Sequence, residues 1–285
     1  MSSISSRRPV AVIGAGPVGL AAAAHLVQRG LPVRVFEAGA GVAAHLGSVG
    51  HVRLFSPWQF NVDRSARALL EADGWSMPPA QRLPTAGEFV SRYLEPLARS
   101  AALAPHLRLG SRVTAVSRAG HDKVKTAGRE AADFVLHVES AEGVEEFRAS
   151  AVIDASGTWS QPNPLGAHGL PALGEAEHRA HIRYGMPDIL GASRSRYAGR
   201  KVLVVGAGHS AAGNLLALAT LAEQEPGTSI AWAVRGNDLR RLFGGGEADA
   251  LPARGELGTR LRALVDAGRL ELHLRFGIGT IKRSA

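Results

Sequence analysis

The chain has 285 residues, 45% hydrophobic and 20% charged, the balance of a soluble globular protein long enough for two domains of ordinary size. It contains no cysteine, which excludes disulfide scaffolds, thiolate metal sites and any electron relay through a Cys-x-x-Cys pair, and fits a cytoplasmic protein. The formal charge of +8 comes mostly from scattered arginines; no basic stripe with interleaved aromatics marks a nucleic-acid surface, and such a surface suits phosphorylated small molecules instead.

Ser5-Ser6-Arg7-Arg8-Pro9 followed by an apolar run superficially resembles an export signal. Glycines interrupt that run and it continues into a helical pattern, so it reads as part of the fold; no segment is a good membrane span. Val10-Ala11-Val12-Ile13 predicts a buried parallel strand, because an unbroken β-branched run suits a strand covered on both faces. Gly14-Ala15-Gly16-Pro17-Val18-Gly19 follows and opens an Ala- and Leu-rich helix running to Arg29. Gly14 permits a tight turn, Gly16 lets backbone approach a pyrophosphate, and Gly19 lets helix pack on strand. The helix N-terminus then offers unpaired N–H groups to phosphate. The next strand, from Pro32 to Phe36, ends in Glu37, 37 − 14 = 23 residues after Gly14, where an acid meets ribose hydroxyls.

Residues 45–60 carry His51, Arg53, Phe55, Ser56, Pro57, Trp58, Phe60 and Asn61 close together. They read equally as the lining of a flat ring system or as a packed interior loop. From Thr85 to Ser100 a helical stretch places Phe89, Tyr93, Leu94 and Leu97 toward a core. Residues 107–151 predict a β-meander with strands at 112–117, 133–139 and 144–149. Ala151 to Ala155 is a further buried strand leading into Ser156-Gly157-Thr158-Trp159, whose small residues allow a close approach to a cofactor. The Pro- and Gly-rich stretch 161–171 reads as an interdomain linker.

A second unit then repeats the first. Lys201 to Val205 is a strand, Gly206-Ala207-Gly208-His209-Ser210-Ala211 is a second fingerprint with Ala in the third glycine position, and His209 to Gln224 is its helix. The following strand, Ser229 to Val234, ends at Arg235 rather than at an acid. Arginine there suits a ribose 2′-phosphate, with a merely solvated arginine as the alternative. The first site therefore predicts an adenine dinucleotide with a free ribose, such as FAD, and the second predicts NADP(H). The expected fold is α/β, two Rossmann-like units with a β-meander in the first. Its domains are 1–165 for FAD and 166–285 for NADP. The last strand-like run, from Leu270 to Phe276, sits close to the terminus, so the second domain reads as short of a closing segment.

This pattern resembles the flavin-dependent monooxygenase family. The resemblance rests on both fingerprints, on Asp154-Ala155-Ser156-Gly157-Thr158-Trp159 at the family's Ala-Thr-Gly-like junction, and on Gly174-Glu175-Ala176-Glu177-His178 matching a Gly-x-x-x-His signature. Ala172 stands where that signature has phenylalanine, and Ala43-Ala44-His45-Leu46 where paired glycines and tryptophan are usual. The resemblance implies an oxidoreductase in which NADPH, held by Gly206, Gly208, Ser210 and Arg235, reduces FAD held by Gly14, Gly16, Gly19, Glu37 and Gly157. Molecular oxygen and a small soft-nucleophile substrate then react. Arg53 is a candidate for stabilising negative charge on the flavin. Ser56 or Asn61 stands in for the family's asparagine. His178 is a candidate contact to nicotinamide or substrate, with a structural role as its alternative. No Ser-His-Asp constellation is evident. A flavin-linked NAD(P)H reductase and a non-catalytic redox sensor are the competing expectations, and neither substrate nor oligomeric state is legible.

Overall fold

Short strands rich in valine and isoleucine form the centre of the computed structural model, which describes residues 8–239, 243 and 249–283. The chain divides into two units, 1–158 and 159–285. In the first, β1 (Val10–Ile13), β2 (Val33–Phe36) and β3 (Leu107–Arg108) are parallel neighbours. An antiparallel meander follows: β4 (Arg112–Arg118), β5 (Phe134–Ser140) and β6 (Gly143–Ala149). The chain then returns through β7 (Ala151–Asp154) to the other side of β1, giving the order β3-β2-β1-β7.

Alternation along β1 and β2 sends side chains to two different cores. Val12 and Val35 join Leu20, Ala23 and Ala24 of α1 (Pro17–Gln28) and Leu70 of α2 (Arg64–Ala72). Ala11 and Phe36 meet Leu136, Val138 and Ala149 of the meander, and Phe36 lies edge-on to Phe147 at 5.0 Å. Both faces of the sheet are thus covered, as its apolar strands require.

Helix α2 was not anticipated from the sequence. Asp63 caps it, its Oδ1 accepting from the N–H groups of Ser65 and Ala66. Asp63 Oδ2 lies 3.1 Å from His25 Nε2, and Ser65 Oγ lies 2.9 Å from His25 Nδ1. A Ser-His-Asp arrangement is therefore present in space, correcting the expectation that there is none. Ser65 is buried in the first turn of α2, so the cluster clasps α1 to α2.

The expected helix over 85–100 is three pieces, Ala86–Phe89, a π-helical turn Val90–Leu94, and Glu95–Arg99. Pro96 has no N–H to give the carbonyl of Arg92. That carbonyl accepts instead from Trp75 Nε1 at 2.8 Å.

In the second unit β8 (Lys201–Val205), α3 (His209–Gln224), β9 (Ser229–Val234), α4 (Pro252–Asp266) and β10 (Glu271–Leu274) alternate. The sheet is parallel with order β10-β9-β8, and Leu215, Leu218, Trp232 and Leu261 are fully buried between it and the helices. The stretch read as a linker is tied down within this unit. Gly166 bridges Ile278 and Leu173 bridges Thr280 in parallel, through Ala167 N to Ile278 O (3.0 Å), Leu173 N to Gly279 O (3.0 Å) and Ile281 N to Leu173 O (2.7 Å). Among the described residues no helix is long and apolar enough to cross a membrane.

Candidate functional site

Each fingerprint occupies the turn between a strand and a long helix, and the two helices share a property that α2 lacks. Where Asp63 caps α2, the cap positions of α1 and α3 are Gly16 and Gly208, which make no side-chain cap bond, and neither first turn carries an acid. A helix N-terminus leaves several backbone N–H groups unpaired and a partial positive charge. Here both are left for an anion.

At the first fingerprint the three glycines have different reasons. Gly14 has φ +94°, and a Cβ on it would lie 2.7 Å from the carbonyl oxygen of Ala155, so the turn is pressed against the backbone that follows β7. A Cβ on Gly19 would lie 1.9 Å from the Gly14 oxygen, which is why the helix packs this tightly on β1. A Cβ on Gly16 would meet nothing within 4 Å. The protein's own packing makes no use of that space, so it is room for a ligand.

Glu37 Oε2 accepts from Ala15 N at 2.7 Å and Oε1 from Gly39 N at 2.8 Å. The carboxylate is thereby aimed from the end of β2, and each oxygen retains acceptor capacity for a ribose hydroxyl. At the end of β7, Asp154 Oδ1 accepts from the Ser156 hydroxyl (2.6 Å) and N–H (3.0 Å). These two bonds, the hydroxyl first, hold the Asp154 carboxyl below its ordinary pKa against a small opposing effect of burial. They fix the turn that presents Gly157, at φ +68°, with open space where a Cβ would be. The role of Asp154 as this turn's anchor was not read from the sequence, although an acid two residues before a serine is an Asx-turn pattern.

Arg53 and Ser56 lie on an irregular two-stranded ribbon, and Asn61 ends the short helical turn Trp58–Asn61 that follows. Leu54 N donates to Pro84 O, Trp58 N to Arg82 O and Ala86 N to Val52 O. Arg53 bridges Thr85 in this ribbon, and its exposed guanidinium donates to Leu83 O at 3.3 Å. Ser56 and Asn61 are brought together: Ser56 Oγ donates to Asn61 Oδ1 at 2.6 Å, while Asn61 Nδ2 donates to Ser56 O (2.7 Å) and Pro57 O (3.1 Å). Both amide hydrogens of Asn61 are thus spent on the turn. Two buried donors in the same segment, Trp58 Nε1 and Arg82 Nη2, have no hydrogen-bond partner among the described residues. Sequence reasoning missed Arg82, a half-buried arginine whose Nη1 donates to Glu88 Oε1 at 2.7 Å.

At the second fingerprint Gly206 has φ +120°, and Trp232 Nε1 of β9 donates to its carbonyl at 2.8 Å. Gly208 has open space at its Cβ position, and Ser210 is exposed in the first turn of α3. Gly206, Gly208, Ser210, Arg235 and His178 line one cleft of this unit. Arg235 is exposed at the end of β9 and donates to Ala167 O at 2.9 Å. His178 Nδ1 lies 2.9 Å from Gly174 O, so this nitrogen carries the hydrogen and donates to that carbonyl.

Next to His178, Glu175 is a buried carboxylate. It accepts from Ala172 N (2.7 Å), Leu165 N (3.1 Å) and the hydroxyl of Tyr184. Burial would raise its pKa, but the Tyr184 hydroxyl and these N–H groups outweigh burial and hold it low. Burial and the Glu175 charge push the Tyr184 phenol up to about 12. No group of metal-ligating side chains occurs among the described residues.

The profile of the pyridine nucleotide-disulphide oxidoreductase family matches residues 11–242. The chain belongs to this family. It is 30% identical over 205 residues to indole-3-pyruvate monooxygenase YUCCA8 of Oryza sativa subsp. indica, covering 70% of this chain and 42% of that protein. It is 31% identical over 206 residues to YUCCA1 of Oryza sativa subsp. japonica, with the same coverage. The family member described here thus spans under half the length of these relatives. In structure it is similar to bacillithiol disulfide reductase Bdr (YpdA) from Bacillus cereus, with a TM-score of 0.70 and 21% identity, covering 97% of this chain and 70% of that one. It is also similar to DfoA, a cadaverine monooxygenase from Erwinia amylovora bound to FAD, with a TM-score of 0.67 and 16% identity over 99% and 72% of the two chains. At these identities the structures establish a shared fold. That fold serves both monooxygenases and disulfide reductases.

Proposed function

We propose that the chain carries the two nucleotide sites of an FAD- and NADPH-dependent monooxygenase acting on a small soft nucleophile. FAD belongs to the domain over 1–165 and NADPH to that over 166–285. The observation that carries this reading is the pair of glycine-capped helix N-termini, one per unit, in a chain without cysteine. With no thiol of its own the chain cannot relay electrons to a disulfide in the manner of a dithiol reductase. The YUCCA relatives, named monooxygenases, support oxygen as the acceptor.

The residues have separable tasks. Gly14 and Gly16 bring the α1 N-terminus to the flavin pyrophosphate, Glu37 accepts from the adenosine ribose, and Gly157 lets backbone approach the cofactor. Gly206, Gly208 and Ser210 hold the pyrophosphate of NADPH, and Arg235 pairs with its 2′-phosphate. When bound, FAD supplies the hydride acceptance and oxygen chemistry that these side chains lack. Arg53 offsets negative charge at the reduced ring, and Ser56 and Asn61 keep the ribbon in shape. His178, with Nδ1–H fixed, presents Nε2 as an acceptor to the nicotinamide side.

The test is the visible spectrum of the chain with FAD, followed anaerobically as NADPH is added. Bleaching of bound flavin supports the reading; bound flavin that stays oxidised excludes it. In oxygen, NADPH oxidation matched by oxygenated product identifies a monooxygenase. Peroxide alone identifies a reductase.

A further inference from the structure

Arg235 stands exposed at the end of β9, yet its guanidinium is held in place by backbone of the same unit. The segment after β10 runs beside that end. Phe276 N donates to Val234 O at 3.0 Å, and Arg275 N donates to Gly236 O at 2.9 Å. Further on, Gly166 bridges Ile278, and Ala167 N donates to Ile278 O at 3.0 Å. Residues 275–278 are thus bonded to the end of β9 at one end and to residues 166–167 at the other. Arg235 closes the circuit, its Nη1 donating to Ala167 O at 2.9 Å.

Gly277 lies in the middle of that segment. Its backbone does not call for glycine, because its φ is outside the left-handed region. Space calls for it. A Cβ on Gly277 would lie 2.8 Å from Ala167 Cβ and, apart from its chain neighbours, would meet nothing else within 4 Å. Two carbons in contact sit roughly 3.5–4.0 Å apart. Residues 167 and 277 therefore have room for one methyl group between them, and Ala167 supplies it.

An exposed arginine loses rotamer freedom when it grips a ligand. The Ala167 carbonyl takes one N–H of the guanidinium and leaves the others for an anion. The group is then oriented before the ligand arrives. NADPH and NADH differ at the 2′-phosphate alone, so a device that acts through Arg235 changes the preference between them and not the grip on the shared parts. On the reading of this cleft as the NADPH site, we propose that Gly277 and Ala167 are positioning residues for nucleotide specificity. Their close approach sets the Ala167 carbonyl where it orients Arg235 toward the 2′-phosphate.

Affinities of the full chain for NADPH and NADH, measured by calorimetry, test this. Gly277→Ala forces residues 167 and 277 apart and should weaken NADPH about threefold to tenfold, the worth of one such hydrogen bond, with NADH unchanged. Adding Ala167→Gly to that variant leaves one methyl group between the two positions again and should restore the parent ratio of affinities. If Gly277→Ala does not give a cooperative thermal melt, Ala167→Val crowds the same approach and carries the same expectation. A parent ratio in the crowded variant, an equal loss for both nucleotides, or a double variant that stays impaired overturns the proposal. Arg235→Ala distinguishes the two levels of failure. If it leaves the ratio unchanged, the NADPH reading of Arg235 fails and the positioning role falls with it. If it abolishes the preference while Gly277→Ala does not lower it, the positioning role alone fails.

Discussion

Substituting the first fingerprint's glycines one at a time separates fold from ligand. Gly16→Val places a side chain where nothing of the protein lies within 4 Å, at a cap position with φ −78° and ψ −175° that any residue adopts. Stability should fall by no more than about 1 kcal/mol, because valine is a poorer helix cap than glycine. The same side chain fills the space assigned to the pyrophosphate and denies it two charge-assisted hydrogen bonds, worth about 1.5–3 kcal/mol each. A loss of about 3–6 kcal/mol weakens FAD binding by at least a hundredfold. Gly14→Ala combines a left-handed backbone, costing about 1–2 kcal/mol, with a 2.7 Å approach to the Ala155 oxygen; it should lower the melting temperature even without cofactor. The assays are thermal melting of the cofactor-free chain and flavin absorbance titration. A Gly16→Val chain that melts like its parent and binds FAD unchanged would refute the assignment of that space to the cofactor.

Three further outcomes are expected. Asp63→Ala should cost about 1 kcal/mol as a lost helix cap. Burial works to raise the Asp63 pKa, but the Ala66 N–H, His25 and the Ser65 N–H outweigh it and the value lies below its ordinary 3.8; the cap's contribution is complete above that value and is lost as pH falls through the lower folded one, so the gap between variant and parent in pH-dependent melting should close in acid and persist at neutrality. Glu175→Gln should let the Tyr184 phenol fall from about 12 toward its ordinary 10, read by ultraviolet pH titration; a phenol that stays high would show that burial alone sets it. Arg235→Ala should reduce binding of NADPH by about tenfold to a hundredfold and leave NADH unaffected, as loss of a charge-assisted phosphate contact requires; equal effects on both nucleotides would remove Arg235 from the 2′-phosphate.

Local patterns were legible and assembled ones were not. β8, α3 and β9 fall at the predicted residues because strand run, glycine turn and alanine-rich helix each announce themselves within a few positions. α2 escaped notice because Arg64, Arg67 and Glu71 give it a polar look, although Asp63 ahead of it is a plain cap signal. α4 was hidden by Gly255 and Gly258, which lower helix propensity. Gly258 is required there because a Cβ would lie 2.1 Å from the Phe243 oxygen. At the sites, the fingerprint positions could be read in order along the chain. The bonds around Glu175 join Leu165, Ala172 and Tyr184, and the clasp of His25 with Asp63 and Ser65 spans about forty residues of sequence. No periodicity reports such contacts.

The pairing of Gly166 and Leu173 with Ile278 and Thr280 closes a loop of 278 − 166 = 112 residues on itself. Gly174 seals the junction, since any larger residue would press on the Ile281 oxygen, 2.3 Å from its Cβ position. The whole β8–β10 sheet therefore hangs from the chain like a handle fastened at both roots. A protease that nicks the handle severs a covalent bond and parts nothing, for the two fragments remain clasped at the base and by the shared sheet.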